Sequence, residues 1–202
     1  GDFLELECDL ENGSKWQKHF LLARNEMFLL TGDVVLNAEA NEIRVSGSWE
    51  LGPETGFGLA RETRELFLTR KAKTAAAVLP ISLPEWRIEK RDADLYVADS
   101  QFCFQAVGSG NNIYFPLFID LDPKRCRQPM TWRQATVAEQ LEILPVSEAT
   151  GFRVHVGGQQ WLIYRSLIEP GNRTFMGQNL SVEFFVGTFE SDGTSSEIIS
   201  VN

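Results

Sequence analysis

Hydrophobic and polar residues alternate along most of the chain with a period of two, which is the pattern of half-buried β-strands. Residues 3–8 and 42–50 show the alternation most clearly, and turn residues such as Asn12-Gly13 separate such stretches every ten residues or so. Many short strands divided by turns are typical of β-sandwiches and barrels. We therefore predict an all-β fold, a two-layer antiparallel β-sandwich of the supersandwich type with at most one short helix.

The clearest single element is a hairpin over residues 151–167, in which Gly157-Gly158 is the two-residue turn. This turn fixes the register, so Val154 lies opposite Trp161 and His155 lies opposite Gln160. One face of the hairpin then carries apolar side chains that we expect to be buried: Phe152, Val154, Trp161 and Ile163. The other face carries Arg153, His155, Leu162 and Tyr164.

Thr136–Leu144 is the best candidate for a helix. Val137, Leu141 and Leu144 follow one another at spacings of four and three, and Pro145 would end the helix.

Several turn-forming residues predict interruptions between strands. Gly32-Asp33 predicts a turn, glycines predict a loop over 52–58, and Pro116 predicts an edge strand or bulge. Trp86–Lys90 is predicted as the first strand of a meander that continues through 94–98 and 102–107. The polar segment Arg165–Asn179 is predicted to be a long irregular loop.

The length of 202 residues favours one β-sandwich domain, and the proline-containing stretch Asp120–Trp132 predicts a connection between halves at 1–120 and 130–202. The sequence of Val45–Glu50 resembles that of Phe185–Glu190. Either duplication of one half of the sandwich or convergence on a common strand pattern would explain this similarity. The chain begins at Gly1-Asp2 and enters a strand at once, which predicts that it is excised from a larger protein.

Composition narrows the classes of partner. A formal charge of −9 repels phosphate backbones, so nucleic acid is not an expected partner. The apolar runs are too short to span a bilayer, so no membrane contact is expected. Cys8, Cys103 and Cys126, with two histidines, match neither a disulfide framework nor a zinc finger. We expect free thiols and no cofactor or metal, and pairing of Cys103 with Cys126 stays open.

Sequence motifs of common enzyme classes are absent, including the nucleophile elbow, the zinc-protease motif and the phosphate-binding loops. Lyase chemistry on a uronic acid needs a cation for the carboxylate and a Tyr or His that moves protons. His155, Tyr164 and Arg165 come nearest to such a set, although the register separates His155 from Tyr164. We therefore expect no catalytic set in this chain.

Tryptophans that stand beside arginines are the candidates for ligand binding, because an exposed indole next to a guanidinium suits a carbohydrate. The candidate ligand-binding residues are Trp86, Arg87, Trp132, Arg133 and, in the polar segment, Arg173. Trp16 also lies in a polar setting, whereas Trp49 and Trp161 alternate with polar neighbours and should be buried. Tryptophans that cap the edge of a sandwich would show the same pattern.

The chain also carries a family resemblance. Leu4-Glu5-Leu6-Glu7 precedes a charged strand at 16–24 and then an aromatic and aliphatic strand at 27–35. This order resembles the β-sandwich region of heparinase II/III-like polysaccharide lyases, and residues 151–201 are similar to the last strands of that region. The resemblance implies an exported bacterial protein, periplasmic or extracellular, whose catalytic residues come largely from a helical toroid upstream.

Some members of that family carry a metal in the sandwich, held by His and Asp. Asp33 matches the family's Asp, but His19 is displaced from the family's His and no third histidine follows. The resemblance therefore implies no metal site here.

The leading hypothesis is a non-catalytic β-sandwich domain of a larger carbohydrate-active protein, which packs on an upstream catalytic domain and contacts acidic polysaccharide. A stand-alone carbohydrate-binding module, for acidic or neutral polysaccharide, would need an open aromatic face at Trp86 or Trp132. An enzyme in its own right would lose turnover when Tyr164 or Arg165 is replaced. A structural or assembly domain without a ligand would carry a large apolar patch outside its core.

Overall fold

The computed structural model describes residues 1–39, 42–88 and 93–202. The described residues form nineteen strands and a single 3₁₀ turn, Arg125–Arg127, and all strand pairs are antiparallel. The first ten strands are β1 (Asp2–Asp9), β2 (Lys15–Ala23), β3 (Phe28–Leu36), β4 (Glu42–Glu50), β5 (Thr55–Leu59), β6 (Leu66–Arg70), β7 (Lys73–Pro80), β8 (Asp94–Ala98), β9 (Gln101–Ser109) and β10 (Ile113–Asp120). The remaining strands are β11 (Met130–Ala135), β12 (Val137–Glu139), β13 (Glu142–Ile143), β14 (Ala149–Val156), β15 (Gln159–Ser166), β16 (Arg173–Phe175), β17 (Gln178–Leu180), β18 (Phe184–Phe189) and β19 (Ser195–Val201).

These strands form four sheets. Sheet I has seven strands in the order β1-β2-β3-β10-β7-β6-β5, and sheet II has five in the order β11-β14-β15-β18-β19. Sheet III has the order β4-β9-β8, and sheet IV has the order β13-β12-β16-β17. The predicted all-β fold of antiparallel sheets is therefore confirmed.

The main core lies between sheets I and II. Phe28 and Phe118 from sheet I meet Trp161 of sheet II, with ring centroids 5.6 and 5.2 Å apart. Val154 and Ile163 are fully buried beside them. Burial of these large side chains is the dominant stabilising term of such a fold, and it makes sheets I and II the two layers of a β-sandwich.

Each layer of this sandwich is also covered on its outer face. Phe102 and Phe104 of sheet III pack with Phe115 and Leu117, which lie on the face of β10 opposite Phe118. Sheet IV covers sheet II in the same way through its own apolar cluster: Val137, Ala149, Leu162, Tyr164, Phe175, Leu180 and Phe185. Strands such as β10 are therefore buried on both faces, which explains their nearly continuous apolar sequence.

Strand pairing among the described residues stays within residues 2–120 or within 130–201, although the main core is shared. Between the described residues of these two parts, every hydrogen bond involves a side chain. Asn112 donates to the carbonyls of Ser147 and Leu167, and Trp132 donates to that of Leu83. The two parts thus share a hydrophobic interior without a shared backbone ladder.

The hairpin formed by β14 and β15 has the predicted register, with Val154 opposite Trp161 and His155 opposite Gln160. Gly157 has a φ of 60°, as a two-residue turn of this kind requires. Trp161 is fully buried, as predicted. Trp49 is only half-buried, so its predicted burial is confirmed in part, and it packs against the apolar cluster between sheets I and III.

The helix predicted over Thr136–Leu144 is wrong. The segment is the hairpin β12–β13, whose turn residues Gln140 and Leu141 both have positive φ. Leu141 is fully exposed, whereas Val137 is buried beside Phe175 in the apolar cluster between sheets II and IV. The helical spacing was accidental, because pairing of β12 with the distant β16 decides the local structure.

The turn predicted at Gly32-Asp33 is also wrong, because β3 runs unbroken through it. Glycine is needed there for space. A Cβ on Gly32 would lie 2.4 Å from Tyr114 and 2.7 Å from His19, whose side chains meet over the strand. The glycine therefore marks a close contact between side chains inside a strand.

Other predicted interruptions also differ from the structure. The loop at 52–58 contains the start of β5, and the supposed irregular segment 165–179 contains β16 and the start of β17. Trp86 forms a single bridge to Thr63, while Glu89 and Lys90 of the predicted strand 86–90 lie outside the described residues. Pro116 lies where β10 is unpaired on one side, because pairing with β7 begins at Leu117.

The two similar segments occupy different places in the topology. Val45–Glu50 lies in β4, an edge strand of sheet III, whereas Phe185–Phe189 lies in β18, inside sheet II. This difference favours convergent strand patterning.

Cys8, Cys103 and Cys126 are free thiols. Among the described residues, no helix has the length and apolar character needed to cross a bilayer.

Candidate functional site

Trp86 stands at the mouth of an open cleft of about 400 Å³, which we call the Trp86 cleft. Its side chain is 49% exposed, and the bridge to Thr63 anchors its backbone. The lining residues come from the segment after β7 and from β11: Ile81, Ser82, Leu83, Pro84, Glu85, Trp86, Trp132, Arg133 and Gln134. The volume lies within the range of small-molecule sites.

Polar groups of both charges line the Trp86 cleft. Partial burial raises the pKa of the Glu85 carboxyl, and the guanidinium of Arg133 opposes that rise. Arg133 is exposed and makes no ion pair within 4 Å among the described residues. A carboxyl, a guanidinium and the amide of Gln134 can together bind several hydroxyl or carboxylate groups of one ligand.

A second, smaller pocket of about 90 Å³ adjoins the Trp86 cleft, and we call it the anion pocket. Its lining is Thr131, Trp132, Arg133, Arg153 and His155, so it shares Trp132 and Arg133 with the cleft. Arg133 and Arg153 lie directly opposite each other on β11 and β14. Facing like charges are destabilising in a sheet unless an anion lies between them.

The side chain of Arg153 is held in place from both sides. It donates from Nε to Oε1 of Gln160 at 2.8 Å, and its guanidinium lies 5.5 Å from the ring of Phe189. No acidic residue is among the described residues that line the anion pocket. The pocket therefore offers fixed positive charge and a threonine hydroxyl to a small anionic group.

A third cavity, of about 350 Å³, lies where sheets I, II and III meet, and we call it the inner cavity. Buried apolar side chains form its floor, among them Ala106, Phe115 and Phe152. It shares Ser82, Leu83 and Gln134 with the Trp86 cleft. Inner cavity, cleft and anion pocket thus form a series of three neighbouring pockets, each of which shares lining residues with the next.

The three catalytic candidates do not come together. Tyr164 and Arg165 are both fully buried and point to opposite faces of β15. His155 is half-buried. Tyr164 pairs with Gly151, which lies four positions before His155 on β14, so the two side chains are roughly 13 Å apart along the sheet. These three residues cannot act on one substrate in this arrangement.

Arg165 instead joins the two layers of the sandwich. Its guanidinium donates to Glu5 at 2.9 Å, to Gln17 at 2.8 Å and to Glu183 at 2.7 Å. A buried arginine needs such partners, because an unpaired charge inside a protein is very costly.

Three of the predicted ligand-binding residues have structural partners. The exposure expected for Trp132 is wrong, because the residue is 3% exposed. Its indole faces the main core, and its polar neighbours reach the surface instead. Nη1 of Arg87 donates to both carboxylate oxygens of Asp94, at 2.8 Å to Oδ1 and 2.6 Å to Oδ2. Arg173 lies in β16, 1% exposed, and donates to the hydroxyl of Tyr164 at 3.1 Å.

Asp33 and His19 are bonded to different partners within the fold. Asp33 accepts from Lys18 at 2.6 Å and from Trp16 at 3.1 Å, while His19 shares a hydrogen bond of 3.0 Å with Tyr114. Within residues 1–39, 42–88 and 93–202, no group of three or more His, Cys, Asp or Glu side chains could hold a metal ion.

Reasoning from the sequence missed Ser82, Glu85, Gln134 and Arg153 as members of the series. The hairpin register did place Arg153 on the face of His155. The register could not bring Arg133 there, because that contact depends on the pairing of β11 with β14, and the start of β11 lies in the segment predicted to be a connection.

Comparisons of the chain with protein-family models, with curated proteins and with solved structures find no match. The resemblance to heparinase II/III-like lyases therefore stays a prediction from the sequence.

Proposed function

We propose that this chain is a non-catalytic β-sandwich domain that binds an acidic polysaccharide along the Trp86 cleft and the anion pocket. The observation that carries the proposal is the exposed indole of Trp86 in a cleft that shares Arg133 with a neighbouring pocket, which is lined by Arg133 and its strand partner Arg153. An indole face covers the apolar C–H face of a sugar ring, and arginines bind carboxylate or sulfate groups.

The arrangement of the catalytic candidates supports a binding role. Tyr164 and Arg165 are fully buried and already bonded, so neither is available to a substrate. The Trp86 cleft carries an indole, a guanidinium, a carboxyl and an amide, which suit a sugar chain, and none of the described residues that line it form a hydrogen-bonded pair of nucleophile and base.

The proposed setting is a larger carbohydrate-active protein in the periplasm or outside the cell, where this domain packs on a catalytic domain. That setting rests on the sequence resemblance. Leu4 and Leu6, about half exposed on the edge strand β1, offer an apolar surface for the contact.

The experiment is a titration of the chain with an anionic polysaccharide, a polyuronate, and with a neutral glucan, followed by tryptophan fluorescence and calorimetry. We expect saturable binding of the polyuronate. Trp86→Ala and Arg133→Ala should each weaken it about 10-fold or more, the loss of one stacking or charge-assisted contact.

Matched controls are Trp16→Phe, which removes a part-exposed indole elsewhere, and Arg70→Ala, which changes the net charge as Arg133→Ala does. Neither control residue lines the cleft or the anion pocket. Equal losses in control and test variants, or no saturable binding of either polysaccharide, would refute the proposal. Equal binding of the two polysaccharides would show a neutral-glycan module and reject the role of the anion pocket.

A further inference from the structure

Strand β1 is one of the two edge strands of sheet I. Its residues 2–9 pair with β2, and no other backbone hydrogen bond among the described residues reaches them. In an antiparallel ladder, every second residue of an edge strand turns its N–H and C=O away from the sheet. Roughly half of the backbone groups of β1 are therefore oriented to pair with another extended segment.

β1 lacks several of the features that protect edge strands from such pairing. Proteins shorten these strands, bend them with a bulge, or place proline or lysine in them. β1 is eight residues long, contains neither proline nor lysine, and pairs with β2 in an unbroken register. The opposite edge of sheet I, β5, has five residues, of which Gly56 and Gly58 are two. Of the two edges, β1 is the one suited to accept a further strand.

One face of β1 is apolar. Leu4 and Leu6 lie on it and are 53% and 50% exposed. They belong to the same face of sheet I as Phe115, which sheet III covers through Phe104. A partner strand beside β1 would bury the two leucines with its own apolar side chains.

The other face of β1 carries more negative than positive charge. Three carboxylates occupy its alternate positions: Glu5, Glu7 and Asp9. Lys15 is shared by two of them, 2.7 Å from Glu7 and 3.9 Å from Asp9. Arg165 is likewise shared, 2.9 Å from Glu5 and 2.7 Å from Glu183. A basic side chain on a partner strand would therefore be attracted to this face.

A second copy of this chain is a poor occupant of the edge. Antiparallel pairing of β1 with itself would bring the carboxylates of the two strands together, for example Glu5 against Glu5 when Leu4 faces Leu6. Like charges directly opposite each other destabilise a sheet, and each chain carries a formal charge of −9.

We infer that β1 binds an extended segment of a partner protein, which joins the seven strands of sheet I as a further strand. The segment places apolar side chains against Leu4 and Leu6, and basic side chains against the carboxylates of the other face. Main-chain hydrogen bonds supply the affinity, and the alternating side chains supply the specificity. This inference specifies how the domain packs on its neighbour, and it rests on that part of the proposed function.

The test titrates the whole chain with an octapeptide of alternating valine and lysine, acetylated and amidated at its ends. One control peptide alternates valine and glutamate, and the other has the composition of the probe but places all its valines before its lysines. The probe should bind at least about 10-fold more tightly than either control, because only the probe matches both the charge and the period of β1. Calorimetry at low ionic strength gives the three affinities.

Variants of the chain assign the binding to β1. Leu4→Lys adds a positive charge to this edge, and Leu59→Lys makes the same change on β5, where the leucine is 43% exposed. Leu4→Lys should weaken binding of the probe about 10-fold, whereas Leu59→Lys should leave it unchanged. Leu6→Thr removes apolar surface without adding charge and should weaken binding about 5-fold. It decides the matter if circular dichroism shows that Leu4→Lys does not fold.

Amide hydrogen exchange tells strand addition from contact through side chains alone. Saturation with the probe should slow exchange of the outward-facing amides in residues 2–9 at least about 10-fold, with the amides of β5 unchanged. Binding that leaves the exchange of residues 2–9 unchanged would overturn the inference.

Three further outcomes would overturn the inference and leave the glycan site untouched. They are no binding of the probe, equal binding of all three peptides, and a dimer of the chain alone that Leu4→Lys dissociates. The dimer would assign the edge to a second copy. Leu4→Lys should bind the polyuronate as the wild-type chain does, so a failure to bind glycans concerns the Trp86 cleft and the anion pocket alone.

Discussion

His19 shows how a single residue is adapted to the space between the two sheets of the sandwich. Its ring is fully buried, 4.9 Å from that of Phe184 and hydrogen-bonded to Tyr114. Burial, with smaller contributions from the positive charges of Arg165 and Lys18, lowers the pKa of His19 to about 3. The imidazole is therefore neutral in the folded protein at any pH near neutrality.

This burial predicts a specific pH dependence of stability. In the unfolded chain His19 takes up a proton below about pH 6.5, but in the folded chain only near pH 3, so acid favours unfolding across that window. The free energy of unfolding should fall by about 1 kcal/mol per pH unit from this group as the pH drops below about 6. Urea titrations at several pH values measure the slope.

The comparison with His19→Gln between pH 5 and 6.5 isolates His19, because Glu7 and Asp192, whose pKa is lowered, and Glu85, whose pKa is raised, contribute equally to both proteins. His19→Gln should be less stable overall and should lack the His19 part of the slope in this window. The same slope in wild type and variant would mean that His19 takes up a proton as readily in the folded as in the unfolded chain.

Among the elements, β3 is the strand over which side chains from the two adjacent strands meet. It pairs with β2 and β10 and carries Gly32 beneath the contact between His19 and Tyr114. Gly58, in the edge strand β5 of the same sheet, has no atom within 4 Å of the position where a Cβ would stand. The two glycines thus form a natural pair for comparison.

Gly32→Ala should lower the free energy of unfolding by about 1–3 kcal/mol, because the new methyl forces Tyr114 or His19 to move. Gly58→Ala should change it by less than about 0.5 kcal/mol. Chemical denaturation of both variants gives the comparison, and equal effects would show that the space above Gly32 is not tightly packed.

These elements also show what could be predicted from sequence. The β14–β15 hairpin was predicted with its register, because a two-residue glycine turn determines which residues face each other. The hairpin β12–β13 was not, because its pairing with β16 is decided more than thirty residues away along the chain. Local patterns are reliable where the contacts that matter are local.

The same distinction holds for the candidate site. Trp86 and Arg133, which both line the Trp86 cleft, could be named as candidates from the sequence because their residue types suit a carbohydrate ligand. Trp132 was misjudged, since polar neighbours accompany both an exposed residue and an inward-facing residue of a strand. Ser82 and Thr150 are neutral and unremarkable in the sequence, and only the meeting of three sheets gives them a common cavity.

At the scale of the whole molecule, four stacked sheets depend on one another. Phe152 lies in sheet II, yet it belongs to the same buried cluster as Leu21 and Phe28 of sheet I. Neither sheet could keep its apolar inner face if the other unfolded, because that face would be exposed to water.

We therefore expect a single cooperative unfolding transition. Tryptophan fluorescence and far-ultraviolet circular dichroism should give the same midpoint in denaturant. Phe152→Ala should shift the whole curve by about 3–5 kcal/mol without splitting it. Two separate transitions, or a change in tryptophan fluorescence at a lower denaturant concentration than the change in circular dichroism, would contradict a shared core.

The absence of backbone pairing between residues 2–120 and 130–201, within the part of the chain that the structure describes, has a further consequence. The contact between sheets I and II resembles the interface of a heterodimer, except that both partners belong to one polypeptide chain. Its hydrogen bonds come from side chains such as Asn112, Trp132 and Arg165. The tether through residues 121–129 keeps the local concentration of the partners high, so the interface need not be strong enough to assemble from free subunits.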